Sequence, residues 1–327
     1  MGEEQTFTVR KPINIALIKY IGKQDSHDGL NQALHPCLSY TLDELYTQVR
    51  LTYQPEATQD VMLTHPKSPP LAHKDRVRFT DHLALVKQKL AFTGCFNIDT
   101  YNNFPLSAGL ASSASSFAAL TACAVEAIEA LQGVPVDAKL SLLQQAQLSR
   151  YGSGSACRSF YGPYCTWDND AIEGVSFGEW DNLQHVVLMF STQQKHVSSS
   201  QAHQLVTTSD GFEKRQSVVA ERYANLSKAM QALDWQAVHR YVWTDFIEMH
   251  RLFHTSKPNF TYCTPKVKKA LEFLQGWWYN HGDGPLVTMD AGSNIHLLFR
   301  PDQIYERTRL LRQFSDIPML YGTPLAE

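Results

Sequence analysis

The sequence lacks what would place it in most specialised classes. It has no basic surplus: 29 Lys and Arg stand against 32 Asp and Glu, a formal net charge of −3. That balance gives no electrostatic reason to expect nucleic acid or an anionic membrane as a partner. No segment approaches the apolar length of a membrane span, and the polar, acidic start Met-Gly-Glu-Glu-Gln argues against a secretory leader. The six cysteines form no C-x-x-C pair, so their spacing suggests neither a disulfide framework nor a zinc site. Free thiols in a reducing cytoplasm are the simplest account. No Gly-Lys-Ser/Thr follows a glycine-rich loop at Walker spacing, and no G-x-G-x-x-G occurs. Internal repeats and low-complexity tracts are also missing.

What is present is an ordinary globular composition, 43% hydrophobic and 19% charged, in a chain of 327 residues. That length suits two lobes better than one. The most informative stretch is Pro105-Leu-Ser-Ala-Gly-Leu-Ala-Ser-Ser-Ala114, which leads into a helical pattern. Phe117, Leu120, Thr121, Ala124, Val125, Ile128 and Leu131 follow the rhythm of a buried helix face. Small residues let the backbone approach an anion, and the helix start directs unpaired amides toward it. Phosphate is a natural ligand of such a junction. Close packing of two elements would select the same small residues, so the loop alone leaves both readings open.

The periodicity predicts strands over 6–10, 13–18, 95–101, 161–167, 185–191, 285–289 and 295–299. Helices are expected over 80–92, 114–131, 210–232, 235–254 and 265–280, with another capped by Asp137 and a last one from 302. The Pro-rich stretch 55–75 reads as an exposed excursion. His250 and His254 share a helix side, but the metalloprotease pattern fails because no Glu follows His250.

Four segments carry groups suited to chemistry. Asn14-Ile-Ala-Leu-Ile-Lys-Tyr-Ile-Gly-Lys23 offers Lys19 and Lys23, point charges for phosphate oxygens. The second is the 105–114 loop. The third, Ser153-Gly-Ser-Ala-Cys-Arg-Ser159, offers the planar fork of Arg158. The fourth, Asp290-Ala-Gly-Ser-Asn294, places a carboxylate where the chain turns. Each group also has a plain structural reading: solvated lysines, a helix-capping arginine, a turn-forming aspartate.

In this order and spacing the segments resemble those of the diphosphomevalonate decarboxylases, a branch of the galactokinase–homoserine kinase–mevalonate kinase superfamily. The likeness spans nearly the whole chain. The branch writes its phosphate loop P-T-A-A-G-L-A-S-S-A, and its N-I-A-x-x-K-Y-W-G-K, S-G-S-A-C-R-S and D-A-G-x-N motifs have counterparts here. The resemblance implies an α+β fold in two lobes, 1–187 and 188–327, with the active-site cleft between them. It implies ATP and Mg2+ as cofactors, a phosphorylated mevalonate as substrate and a homodimer. Asp290 is the expected catalytic carboxylate, with Lys19 beside the transferring phosphate and Arg158 holding the substrate. Tyr20, Lys23, Ser153, Gly154, Ser155 and Ala156 are expected on the substrate's diphosphate, with Ser199 and Thr208 as further contacts. Ser107, Ala108, Gly109, Leu110, Ala111, Ser112 and Ser113 are expected to bind nucleotide.

The chain departs from the family pattern at Ile21 (for Trp), at His35 (for Asn) and at Ala202-His203 (for Gly-Met). It departs again in Asp245-Phe-Ile-Glu-Met-His250, where the family writes D-S-N-x-x-H. Beside a mevalonate 5-diphosphate decarboxylase, the sequence leaves open a mevalonate 5-phosphate decarboxylase, a kinase that does not decarboxylate, and a non-catalytic nucleotide-binding protein.

Overall fold

The computed structural model describes residues 5–23, 29–105, 112–192 and 195–322. The first lobe is organised by one long strand. Strand β1 (Thr6–Ile18) pairs antiparallel with β2 (Cys37–Gln54) from Leu38 to Thr52. At 18 residues β2 is long enough to serve further partners. Its last residues pair with β4 (Cys95–Asn102), which also takes the short parallel strand β3 (Val61–Met62). Its first residues pair with β5 (Tyr164–Asp168), which continues to β6 (Ala171–Val175). Helices α1 (His73–Lys89), α2 (Ser112–Leu131) and α3 (Leu142–Ser149) complete this lobe, with α2 packed on β1 and β2.

The second lobe is a four-stranded antiparallel sheet in the order β10-β7-β9-β8. Its strands are β7 (Gln184–Leu188), β8 (Leu286–Thr288), β9 (Ile295–Phe299) and β10 (Met319–Tyr321). Its helices are α4 (Ser199–Leu205), α5 (Phe212–Gln231), α6 (Trp235–Thr255), α7 (Pro265–His281) and α8 (Ile304–Arg312). The lobes share a core. Ile13, Ile15, Leu17 and Leu38 of the first lobe cluster with Val219, Leu226, Val238, Val242 and Leu298 of the second. Each such buried side chain contributes about 1.5–3 kcal/mol, so the lobes are joined by apolar packing as well as by the chain.

Four expectations need correction. A boundary at 187/188 would cut β7, whose hydrogen-bond partners β9 and β10 place it wholly in the second lobe. Helix α1 begins at His73 rather than 80, because its first turn is largely exposed and shows no apolar period before Phe79. Asp137 lies in a short 3-10 turn. Helix α3 starts at Leu142, where Ser141 and Gln144 form a capping box. Finally, α2 is long and apolar enough to cross a membrane, contrary to the reading of the sequence. It is buried almost throughout against the first sheet, as a core helix is.

Candidate active site

The chain leaves β1 at Lys19, a lysine only 1% exposed. Its backbone N–H donates to Asp245 Oδ2 at 2.7 Å, and its ammonium donates to the Ala16 carbonyl at 2.7 Å. The same ammonium forms an ion pair with Asp290 Oδ1 at 2.7 Å. Asp290 follows β8, where the chain turns. Its carbonyl accepts from Gly292 N at 2.8 Å and from His250 Nε2 at 3.1 Å. His250 Nδ1 in turn faces the Cys263 thiol at 3.5 Å. Asn294 ties the far end of the turn to Ser191, accepting from its N–H at 3.0 Å and donating to its carbonyl at 3.1 Å. The D-A-G-x-N spelling therefore builds a turn held at both ends.

Burial, the largest single influence, would raise the Asp290 pKa, but Lys19, His296 and Arg158 together outweigh it and hold the carboxyl below its ordinary value. Burial lowers Lys19, with Asp290 opposing the shift. Behind this pair lies a buried ionic support. Asp245 accepts from Arg215 at 3.0 and 3.1 Å and from Arg222 at 2.8 Å. These arginines, with the Lys19 amide, overcome burial and hold Asp245 low as well.

Arg158 rises from the 3-10 segment Gly154–Phe160 and is 4% exposed, yet among the described residues its Nε and Nη1 have no hydrogen-bond partner. Orphaned guanidinium donors at such burial are costly unless a ligand meets them. The Tyr20 hydroxyl is likewise buried without a partner among the described residues. It lies over Gly154, where an added Cβ would come within 2.6 Å of it. Lys23 donates to Asn31 Oδ1 at 2.6 Å, and Asn31 donates to the Arg150 carbonyl at 2.6 Å. Asn14 anchors the 3-10 segment by donating to Ser159 Oγ at 2.8 Å.

One cleft of about 850 Å³ lies over this framework. The cleft brings together Lys19, Tyr20, Lys23, Ser112, Ser113, Ser153, Gly154, Ser155, Arg158, Ser199 and Asp290. Ala156 is fully buried beneath its wall. Ser107, Ala108, Gly109, Leu110 and Ala111 lie outside the described residues. Thr208 is not brought to the cleft. Its hydroxyl donates to the Leu205 carbonyl at 2.6 Å and accepts from Lys257 N at 2.7 Å, pinning a surface turn. His35 is buried elsewhere, and His254 faces Thr261.

The reading of the sequence missed Lys74, Arg78, Lys195 and His203, all on the cleft wall. Lys74 and Arg78 belong to the unforeseen start of α1, and no motif marks them. Lys195 donates to the Ala291 carbonyl in the Asp290 turn, a contact that only the fold creates. His203 lies on α4, where the sequence marks it only as a departure from Gly-Met. Among the described residues the cleft gathers six Lys and Arg side chains against Asp75 and Asp290, a field suited to a polyanion.

Known proteins agree with this architecture. Residues 11–177 match the family model for the diphosphomevalonate decarboxylase-like N-terminal domain, and residues 185–319 that for the mevalonate 5-diphosphate decarboxylase C-terminal domain. The diphosphomevalonate decarboxylase of Eremothecium gossypii is 31% identical over 312 residues, covering 88% of this chain and 76% of its own. The crystal structure of a mevalonate diphosphate decarboxylase from Legionella pneumophila superposes with a TM-score of 0.88 at 40% identity, over 97% of this chain and 100% of that one. A solved complex of MDDEF with MVAPP, AMPPCP and magnesium has a TM-score of 0.85 at 27% identity, over 98% and 96% of the two chains.

Proposed function

The chain belongs to the diphosphomevalonate decarboxylase family, and on that premise we propose that it converts mevalonate 5-diphosphate to isopentenyl diphosphate at the expense of ATP. One observation of the site carries the reading. The Lys19–Asp290 pair and Arg158, whose Nε and Nη1 meet no partner among the described residues, line a single cationic cleft. A phosphorylated hydroxy acid needs those groups together. Its tertiary hydroxyl must be oriented and deprotonated, its carboxylate held, and its phosphates neutralised.

The γ-phosphoryl group of ATP moves to the 3-hydroxyl oxygen, releasing ADP. Asp290 receives the hydroxyl proton. With its pKa held low by Lys19, the carboxylate is a weak base before attack. The proton therefore transfers as the new P–O bond forms, which suits the loose transition state of phosphoryl transfer. The C3–O bond then breaks and phosphate leaves with the bonding pair. The pair from the C1–C2 bond becomes the new double bond, and carbon dioxide departs. Arg158 holds the carboxylate and keeps it aligned with the breaking bonds.

Magnesium fits this cleft as a companion of the nucleotide. Mg2+ is usually held by one or two protein oxygens, phosphate oxygens and water. The hydroxyls of Ser112, Ser113 and Ser116 line the cleft at the start of α2, and they are the groups that would hold it with the phosphates. When bound, the ion neutralises charge that develops on the phosphates. The free thiols of Cys37, Cys95, Cys123, Cys157 and Cys165 are buried, which supports a reducing, cytoplasmic setting.

The test is a coupled assay with ATP, magnesium and mevalonate 5-diphosphate that follows ADP and carbon dioxide together. Equimolar release is expected. ADP without carbon dioxide would make the protein a kinase and overturn the reading.

A further inference from the structure

The departures at positions 21, 202 and 203 are scattered in sequence but meet in the structure. Ile21 and Ala202 are 2% and 0% exposed and share one apolar cluster with Val206, Met249, Leu252, Phe253 and Tyr262. His203, next along α4, reaches from the second lobe to the segment that follows β1. It donates from Nδ1 to the Gly22 carbonyl at 3.3 Å. Its ring packs on Tyr20 at 4.6 Å between centroids, while Trp167 backs Tyr20 at 4.8 Å. Tyr20 is thus clasped between a first-lobe and a second-lobe ring, its buried hydroxyl over Gly154 and unpartnered among the described residues.

Gly22 is the pivot between the clasped tyrosine and Lys23. Its φ of +81° suits glycine, and a Cβ there would come within 2.7 Å of the Phe212 ring. The carbonyl that His203 holds belongs to the Gly22–Lys23 peptide, and the orientation of that peptide sets where Lys23 departs. Burial, reinforced by Lys23, pushes the His203 imidazole down to about 3, so the ring is neutral at ordinary pH. A neutral ring attracts phosphate weakly; what it supplies is geometry.

We infer that His203 is a positioning residue for the phosphate end of the substrate, holding the Tyr20 hydroxyl and the Lys23 ammonium in the places where the terminal phosphate meets them. The inference rests on the functional reading above for the identity of that substrate. It assigns this chain a histidine clasp where its family carries Gly-Met.

Two variants and two measurements test it. His203→Ala removes both ring and donor, whereas His203→Asn keeps a side-chain N–H near the Nδ1 position. Calorimetric titration with mevalonate 5-diphosphate in the absence of ATP should show affinity falling about tenfold in H203A, the loss expected for a misplaced charged contact. H203N should recover part of that loss. In turnover, KM for mevalonate 5-diphosphate should rise with kcat and the KM for ATP nearly unchanged, a split that general loosening of the cleft would not produce. Equal affinity of wild type and H203A would overturn the inference, as would a parallel rise in both KM values. Wild-type protein that binds mevalonate 5-diphosphate but releases no carbon dioxide would overturn the functional reading and leave the clasp standing.

Discussion

Asp290 and Lys19 stand 271 positions apart in the chain and 2.7 Å apart in space. Their pairing divides the labour at the site. Lys19 helps keep the carboxylate ionised, and the carboxylate opposes the burial that lowers the ammonium's pKa. Replacing Asp290 with Asn preserves an acceptor for Lys19 but removes the proton acceptor. Turnover should fall by about 10²–10⁴, the usual worth of a general base, while ATP affinity stays near that of the wild type. Single-turnover ADP release with parallel nucleotide titration checks this, and near-normal ADP release would remove Asp290 from the reaction. At this scale the motifs exposed the residue types, because ammonium, guanidinium and carboxylate each have few chemical uses. Lys195 and His203 stayed hidden because their roles depend on contacts with Ala291, Gly22 and Tyr20 that no local spacing encodes.

At the scale of elements, legibility followed the strength of local signals. Helix α7 begins with Thr264 accepting from Val267 N and Pro265 in the first turn, and it ends at Gly282 in the left-handed conformation; both ends stand in the sequence. Helix α6 repeats apolar residues along one face, and Asp245 lies buried on that face because Arg215 and Arg222 receive it. The start of α1 had no such signal. The cluster around Ile21 and Ala202 yields a prediction of its own. Ile21→Trp alone overfills this space and should cost about 1–3 kcal/mol. Ala202→Gly alone should cost about 1 kcal/mol for a helical glycine. If the two side chains share room, the double variant will be more stable than the sum of its parts by about 0.5 kcal/mol or more. Urea unfolding of all four proteins measures the difference, and simple additivity would show that the two departures are unrelated.

For the whole molecule, the shared core makes pH a property of both lobes. Burial pushes His82 and His296 down to about 4, and His203, His239 and His250 down to about 3, from an ordinary value of 6.5. The fold keeps these imidazoles neutral, while the unfolded chain protonates them below pH 6.5. The unfolded state therefore binds more protons between about pH 6.5 and 3, and stability rises with pH across that window and then levels. Asp245 and Asp290, held low in the fold, add a further loss at the acid end. Urea midpoints should fall steadily from pH 6.5 to 4.5 and change little between pH 7 and 8; a flat profile through the acid range would refute this account. The sequence by itself determined the types of chemical group, the ends of α7 and the apolar faces of the long helices, because those depend on neighbours a few residues away. Only the tertiary structure decided that β7 belongs to the second sheet, that Thr208 faces away from the cleft, and that His203 clasps Tyr20. Such outcomes depend on hydrogen bonds and packing between segments far apart in the chain, where the position of one partner is set by the fold of all the others.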